Sequence, residues 1–447
     1  MRNPVELSYR VDDRPPWLKN LLYGFQWTVI FLPTILIISS ISSEYLGLQG
    51  SEEVLFFQRN LLLTGGVVIL QTLWGHRYPI LDGPSTAVLL SLLILAPYGM
   101  ESIQGGMIAG GCFLMVLSFS GFMRSIEHLF TDNVIGVIFI LIAVTLFPYV
   151  SSMMIGLRSG YPSGEPIVFF ISILVIVAIV LMSHWLPGFP RSLSLLLGII
   201  FGTLLNWLLG RVSMTDLGET PWVSLPQPLV PGFPKFSLMV TLTFLVAYIA
   251  VMVNGLGTIY TVGEIVGTEG MANRVKRGIA ATGLGGILAG IVGGIGTVSF
   301  GLSAGVILVT RTGSRFTVTL CGFLLLLLAF FQKFMAIIAA VPASVVGAAM
   351  VVGLAAQVGA GISLFTRSGR GLDGRDYLVI GIPITMGGII SILPEGFFRA
   401  LPSTVHALLK NGLIVGIILV LLLEHILLYQ KTKDTNPDKV QGKGKRR

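Results

Sequence analysis

Two short stretches carry the side chains that could do chemistry. "LDGPSTAVLL" holds Asp82, Ser85 and Thr86 around Gly83 and Pro84, and "SFGLSAGVIL" holds Ser303 beside Gly301. Both lie in strongly apolar sequence, where an acid is costly and points to work on an ion or a proton. Asp82 is therefore a candidate for proton coupling; its alternatives are to cap a half-helix starting near Pro84 or to pair with Arg77. The hydroxyls of Ser85, Thr86 and Ser303 suit hydrogen bonds to a small ligand, or simply to the preceding turn. None of this is catalytic equipment. The five histidines, His76, His128, His184, His406 and His425, are scattered, mostly near segment ends, with no H-E-x-x-H motif and no paired acids on one helix. Cys112 and Cys321 sit in apolar runs and suggest neither a disulfide nor a metal site. "GLGGILAGIVGGIG" partly mimics a dinucleotide loop, but it follows no strand and is itself hydrophobic, and no phosphate-binding lysine motif is present. The residues point away from an enzyme, a bound cofactor, a metal centre and an ATP-driven pump.

The elements that must position these groups are membrane spans. Of 447 residues, 53% are hydrophobic and 11% charged, with a mean hydropathy of +0.86; soluble domains carry roughly a quarter charged residues. Apolar stretches recur at 18–43, 53–75, 79–96, 102–123, 133–150, 166–186, 189–210, 236–262, 278–296, 299–311, 316–332, 335–359, 376–394 and 403–429. This predicts an all-α polytopic membrane protein with about fourteen segments. With both termini in the cytoplasm, all but seven of the 29 Lys and Arg fall on the inner side, as positive-inside topology requires. The first outer loop, "SEYLGLQGSEE", is acidic, and the tail, "KTKDTNPDKVQGKGKRR", is basic. The net charge of +8 is thus a topology marker in a lipid-embedded chain and not a nucleic-acid footprint. No span carries the repeated polar stripe of a channel.

The chain also echoes itself. "LDGPSTAVLL" precedes "DNVIGVIFIL" as "SFGLSAGVIL" precedes "ASVVGAAMVV", aligning Gly83 with Gly301 and Gly136 with Gly347. The copies are seven segments apart, which inverts the second in the membrane. The expected organisation is an N-terminus at 1–17, a first repeat at 18–210, an outer loop at 211–235, a second repeat at 236–429 and a tail at 430–447. Two short, Gly/Pro-interrupted segments at matching places in inverted halves mark a transporter site near the midplane. Half-helices preceded by extended backbone would aim free N–H groups and positive dipole ends at a pocket. Glu264 and Glu269 are expected in a solvated ion-pair cluster with Arg274, Lys276 and Arg277.

These residues resemble the nucleobase–ascorbate transporter family, the uracil/xanthine permeases, over nearly the whole chain. "SAGVILVTRTGSR" is similar to the family signature, with Gly305, Thr310 and Arg311; "YGFQW", "GHRYPILDGPS", "NRVKRGIAATGLGGILAG" and "VPASVVGAAM" agree with it. The resemblance implies a seven-plus-seven repeat with core and gate domains, short strands and half-helices in spans 3 and 10, proton-coupled symport and often a dimer. It places substrate contacts at Gln26, Gly83, Ser85, Thr86, Asn254, Thr258, Gly301, Leu302, Ser303 and Ala304, with Thr310 and Arg311 in the gating signature. The sequence departs from the family where the acids belong. Asn254 stands for the glutamate of span 8, Leu302 for the acid or glutamine of span 10, Ser303 for the asparagine after it, and Trp27 for the histidine after Gln26. Without both carboxylates the pocket keeps donors, hydroxyls and positive helix ends. It would suit a base gripped by the Asn254 amide or an organic or inorganic anion, since sulfate and bicarbonate carriers share this architecture. Asn254 could equally bond a neighbouring helix, and Phe25 and Trp27 could either stack a flat ring or face lipid.

Overall fold

The computed structural model describes residues 7–120, 129–157, 163–187, 189–212, 220–227, 232–367, 371–399 and 408–429. The expected tail at 430–447, and His128 and His406, lie outside the described residues. Among these, nine helices are long and apolar enough to cross a membrane, or ten if one bent pair counts as a single span. The first four elements are α1 (Trp17–Leu46), α2 (Ser51–Leu73), β1 (Asp82–Pro84) and α3 (Thr86–Leu95). There follow α4 (Met100–Phe119), α5 (Asp132–Met154), α6 (Pro166–Trp185), α7 (Ser194–Leu208), α8 (Leu238–Val266) and α9 (Met271–Val292). Besides short helical turns, the chain continues with β2 (Thr297–Ser299), α10 (Leu302–Thr310), α11 (Arg315–Leu328), α12 (Ala343–Phe365), α13 (Gly374–Ile392) and α14 (Gly412–Leu422).

Local chemistry sets the ends of these helices. Gly47 and Gly293, both in the left-handed region (φ 71° and 66°), stop α1 and α9, as glycine does after a last helical turn. Thr131 caps α5 through its side chain, and Asp373 with Asp376 forms a capping box on α13. One expected boundary moves: the stretch expected as one span at 335–359 is instead a short helix, Gln332–Ala339, bent 88° from α11, followed by α12. Pro342 at the N-cap of α12 explains the break, because proline cannot continue a helix but starts one well.

The helices pack in two groups. In the first, α2 lies on α11, α4 on α9 and α8, and α1 on α11; in the second, α5 lies on α12, α13 and α14, and α6 on α7 and α12. Small residues permit the closest of these approaches. A Cβ added at Gly111 would lie 2.5 Å from the Gly283 carbonyl oxygen, and one at Gly283 would lie 2.7 Å from that of Gly111. Membrane helices use such contacts because lipid offers no hydrophobic drive to hold them together.

Candidate functional site

The two predicted short segments meet. β1 and β2 pair antiparallel, with Asp82 opposite Ser299, Gly83 opposite Val298 and Pro84 opposite Thr297. Ser85 N–H donates to Gly296 C=O (2.9 Å) and Phe300 N–H to Leu81 C=O (2.8 Å), closing the ladder at both ends. Each strand runs directly into a half-helix, α3 or α10, so the two helices leave the pair in opposite directions. Irregular backbone at this depth is tolerated only when its polar groups find partners or face a cavity. Gly83 makes the approach possible: a Cβ there would lie 2.4 Å from Phe31 Cζ, and that ring is buried edge-on against Phe300 at 5.4 Å.

The start of the first half-helix differs from expectation. Pro84 is the last residue of β1, Ser85 is the N-cap, and the Ser85 hydroxyl accepts from Val88 N–H at 3.4 Å. A side-chain oxygen satisfies a free amide at that position, which proline cannot do. Gly301 caps α10 without any side-chain bond. The N–H groups of Thr86 and Ala87 on α3, and of Gly301 and Leu302 on α10, have no partner among the described residues. These four donors and two positive dipole ends are what the site offers an acceptor-bearing ligand.

Of the side chains expected to contact substrate, Thr258 and Ser303 bond to the backbone of this strand region. Thr258 on α8 donates to Ser299 C=O (3.1 Å), and its oxygen is 3.8 Å from where a Cβ on Gly301 would be. Asn254, one turn earlier on the same face, is half-buried and makes no side-chain hydrogen bond within the described residues. Gln26 and Thr86 are likewise half-buried without side-chain partners, as is the methyl of Ala304, and Leu302 is 36% exposed. Ser303 is buried, and its oxygen accepts from Leu81 N–H (3.0 Å), tying α10 to β1. Trp27 is fully buried with its indole N–H unpaired, whereas Phe25 is exposed.

Asp82 takes neither alternative partner expected for it. It does not cap α3 and does not pair with Arg77. Its Oδ2 lies 2.9 Å from His76 Nε2, and Ser299 Oγ–H donates to its Oδ1 at 2.6 Å. All three groups are buried. His76, which as sequence is merely one of five scattered histidines, is thus part of the site. No periodicity flags it, because residues 74–81 are neither helix nor strand and the reversal at Arg77 (φ 54°) is what folds it back. That strained turn is held from outside, since Arg274 Nη1 donates to the carbonyls of His76 (3.1 Å) and Arg77 (2.6 Å). The expected cluster at Glu264 and Glu269 dissolves accordingly. Arg274 serves backbone carbonyls, Glu269's among them, and Glu264 pairs with Arg367.

The basic end of the 300–315 stretch has its own partner. Thr310 bonds back to Val306 C=O, and Arg311 ends α10 in the left-handed region with φ 54°. The N-terminal segment then runs alongside: Ser8 N–H donates to Arg311 C=O (2.8 Å), Gly313 N–H to Tyr9 C=O (2.9 Å) and Arg315 N–H to Val11 C=O (3.0 Å). Arg315 is buried, with Nε on Asp12 Oδ1 (2.7 Å), Nη1 on Thr72 C=O (2.9 Å) and its guanidinium over Phe316. Arg315→Met should lower the stability of the solubilised protein by about 1–3 kcal/mol in thermal denaturation. Asp12→Ala should cost under about 1 kcal/mol, because Asp12 is 61% exposed. Equal losses in the two variants would show that the salt bridge, and not the buried carbonyl bond, carries the effect.

Comparison with known proteins gives a consistent result. A family model for xanthine/uracil permeases, described as "Permease family", matches residues 18–396. The nucleobase transporter PlUacP of Paenibacillus larvae is 28% identical over 93% of this chain and 96% of its own. The uric acid permease PucJ of Bacillus subtilis is 30% identical over 80% and 81% respectively. Among solved structures, the transmembrane domain of a cyanobacterium bicarbonate transporter, BicA, superposes with a TM-score of 0.65 at 13% identity, covering 86% of this chain and 98% of that one. The last similarity is one of fold alone.

Proposed function

This chain belongs to the xanthine/uracil permease family, a family of multi-pass membrane transporters and not of enzymes, and from that premise we propose that it carries a purine or pyrimidine base or a related planar heterocycle by proton-coupled symport. The site is the strand pair with its flanking half-helices, lined by Gln26, Gly83, Ser85, Thr86, Asn254, Thr258, Gly301, Leu302, Ser303 and Ala304, with Thr310 and Arg311 ending the moving half-helix. One observation carries the reading: the four N–H groups at the starts of α3 and α10 have no partner among the described residues, while the positions of the family's acids hold Asn254 and Leu302. Free donors with no carboxylate at the positions of the family's acids favour a base rich in carbonyl acceptors, such as an oxidised purine. Asp82 is the acid left to carry the coupled proton.

The architecture proposed is fourteen segments in two inverted repeats of seven. Its support is the packing pattern, which maps onto itself when every helix is advanced by seven: α2 on α11 becomes α9 on α4, α6 on α7 becomes α13 on α14, and α5 on α12 returns to itself. The first helix group would be the core and the second the gate, moving against each other as the site alternates between sides. The basic-residue bias supports both termini in the cytoplasm and residence in the cytoplasmic membrane; a homodimer is the assembly the family resemblance implies.

The test is thermal stabilisation of the detergent-solubilised protein by uracil, xanthine, hypoxanthine, urate, ascorbate, sulfate and bicarbonate, since a ligand of the folded state raises the melting temperature. The expected result is a shift with one or more planar bases, largest for urate or xanthine. A shift with sulfate or bicarbonate alone would replace this reading with that of an anion carrier.

A further inference from the structure

The buried bond between His76 and Asp82 has a direction. Tyr78 N–H donates to His76 Nδ1 at 3.0 Å, so that nitrogen accepts and carries no hydrogen. The ring is therefore the neutral tautomer with its hydrogen on Nε2, and it donates to Asp82 Oδ2 at 2.9 Å. Asp82 thus receives two donors, His76 Nε2–H and Ser299 Oγ–H. From Asp82 the chain of bonds continues through Ser299 to its carbonyl, which Thr258 grips from α8 beside the start of α10.

The pair is enclosed by several elements, and the nearby acid Glu269, which precedes α9, acts on Tyr78. From α9, Arg274 reaches the His76 and Arg77 carbonyls and stacks on the Tyr78 ring, and Gly278 packs against the His76 Cβ. From α2, Gln71 Oε1 accepts from His76 N–H; β2 contributes Ser299, and α8 contributes Thr258. Among the described residues, Arg77, Tyr78, Arg274 and Glu269 are charged or titratable groups beside the pair.

Resting on the reading of Asp82 as the coupling acid, we propose that His76 is its positioning residue. The imidazole holds Asp82 against β2 and, through the hydrogen bond it donates, governs how readily that carboxylate takes the coupled proton. A proton arriving on Asp82 Oδ1 reverses that oxygen's bond to Ser299. The hydroxyl becomes the acceptor and turns its own hydrogen away from the carboxylate, so protonation is transmitted to the strand that starts α10. His76 Nδ1 stays blocked by the Tyr78 amide, which keeps the proton on the acid. A donor to a carboxylate favours the ionised form, so removing it makes protonation easier.

The measurement is an infrared pH titration of the full-length solubilised protein, following the carbonyl stretch of a protonated carboxylic acid and assigning it by its loss in Asp82→Asn. His76→Gln, whose amide donates but does not titrate, should keep the wild-type midpoint to within about twofold in proton concentration. His76→Phe, which keeps the ring volume but offers no donor, should move the midpoint to higher pH by about tenfold in proton concentration; His76→Leu serves if His76→Phe does not fold. An unchanged midpoint in the donor-less variant would reduce His76 to a packing role and overturn the proposal. So would a His76→Gln protein that loses the titration, because the proton would then reside on the imidazole, and so would the absence of any band sensitive to Asp82→Asn. None of these readings depends on which ligand is carried, so failure here is separate from failure of the ligand panel.

Discussion

Gly83→Val should sharply reduce transport while leaving most of the helical structure in place. The first added atom would lie 2.4 Å from Phe31 Cζ, closer than carbon atoms can approach. The ring cannot step aside, since it is fully buried and set edge-on to Phe300, whose amide is bonded to Leu81 C=O. Relief must come from β1 itself, which separates from β2 or shifts along it. Overpacking of this kind costs about 1–3 kcal/mol, a modest part of total stability, so the protein should still fold with a lowered melting temperature. Function should suffer more, because both half-helices start from this strand pair and their free N–H groups are aimed by it. We expect uptake to fall by at least about tenfold, and Phe31→Leu, which shortens the obstructing side chain, to restore part of it. Such coupling between touching residues is what a double-mutant cycle reads. Full uptake by Gly83→Val alone would mean that the strand pair does not hold the substrate-facing helix ends.

Asn254→Glu should change which ligands stabilise the protein. Asn254 is half-buried, spends its amide on no neighbour among the described residues, and lies one helical turn from Thr258, which bonds to β2. Under the proposed function, its side chain is the one on this face of α8 left free to bond a ligand. A glutamate there would accept from ring N–H groups and would repel a negatively charged base. Hydrogen bonds to a charged group contribute about 1.5–3 kcal/mol, so the ratio of affinities for uracil over urate should rise by about tenfold or more. Competition between the two ligands in the melting assay measures that ratio directly. If the ratio is unmoved while both ligands still bind, Asn254 faces away from the site and the pocket's selectivity is set elsewhere.

Much of this protein was legible in the sequence because the relevant physics is local. Span positions follow from runs of apolar residues long enough for a bilayer, and the two short segments follow from glycine and proline placed where a helix would otherwise continue. The family could be recognised on the same segments, above all on "SAGVILVTRTGSR" with Thr310 and Arg311. The break before α12 and the start of α3 at Thr86, not Pro84, were harder to read. Both depend on which single residue takes the cap, and several neighbours were chemically eligible.

What only the tertiary structure decided is pairing across distance. Ser299 meets Asp82 because the register of two three-residue strands puts them opposite each other, and no local pattern specifies that register. His76 reaches Asp82 because Arg77 turns the chain through a left-handed conformation that Arg274, some two hundred residues away in sequence, holds in place. The N-terminal segment lies on residues 311–315 through backbone bonds, which carry no signature in side-chain composition. Apolar content and chain breaks thus mark the chain as a polytopic helical membrane protein with interrupted segments. Which donor faces which acceptor is settled only when the folded chain brings them within about 3 Å of each other.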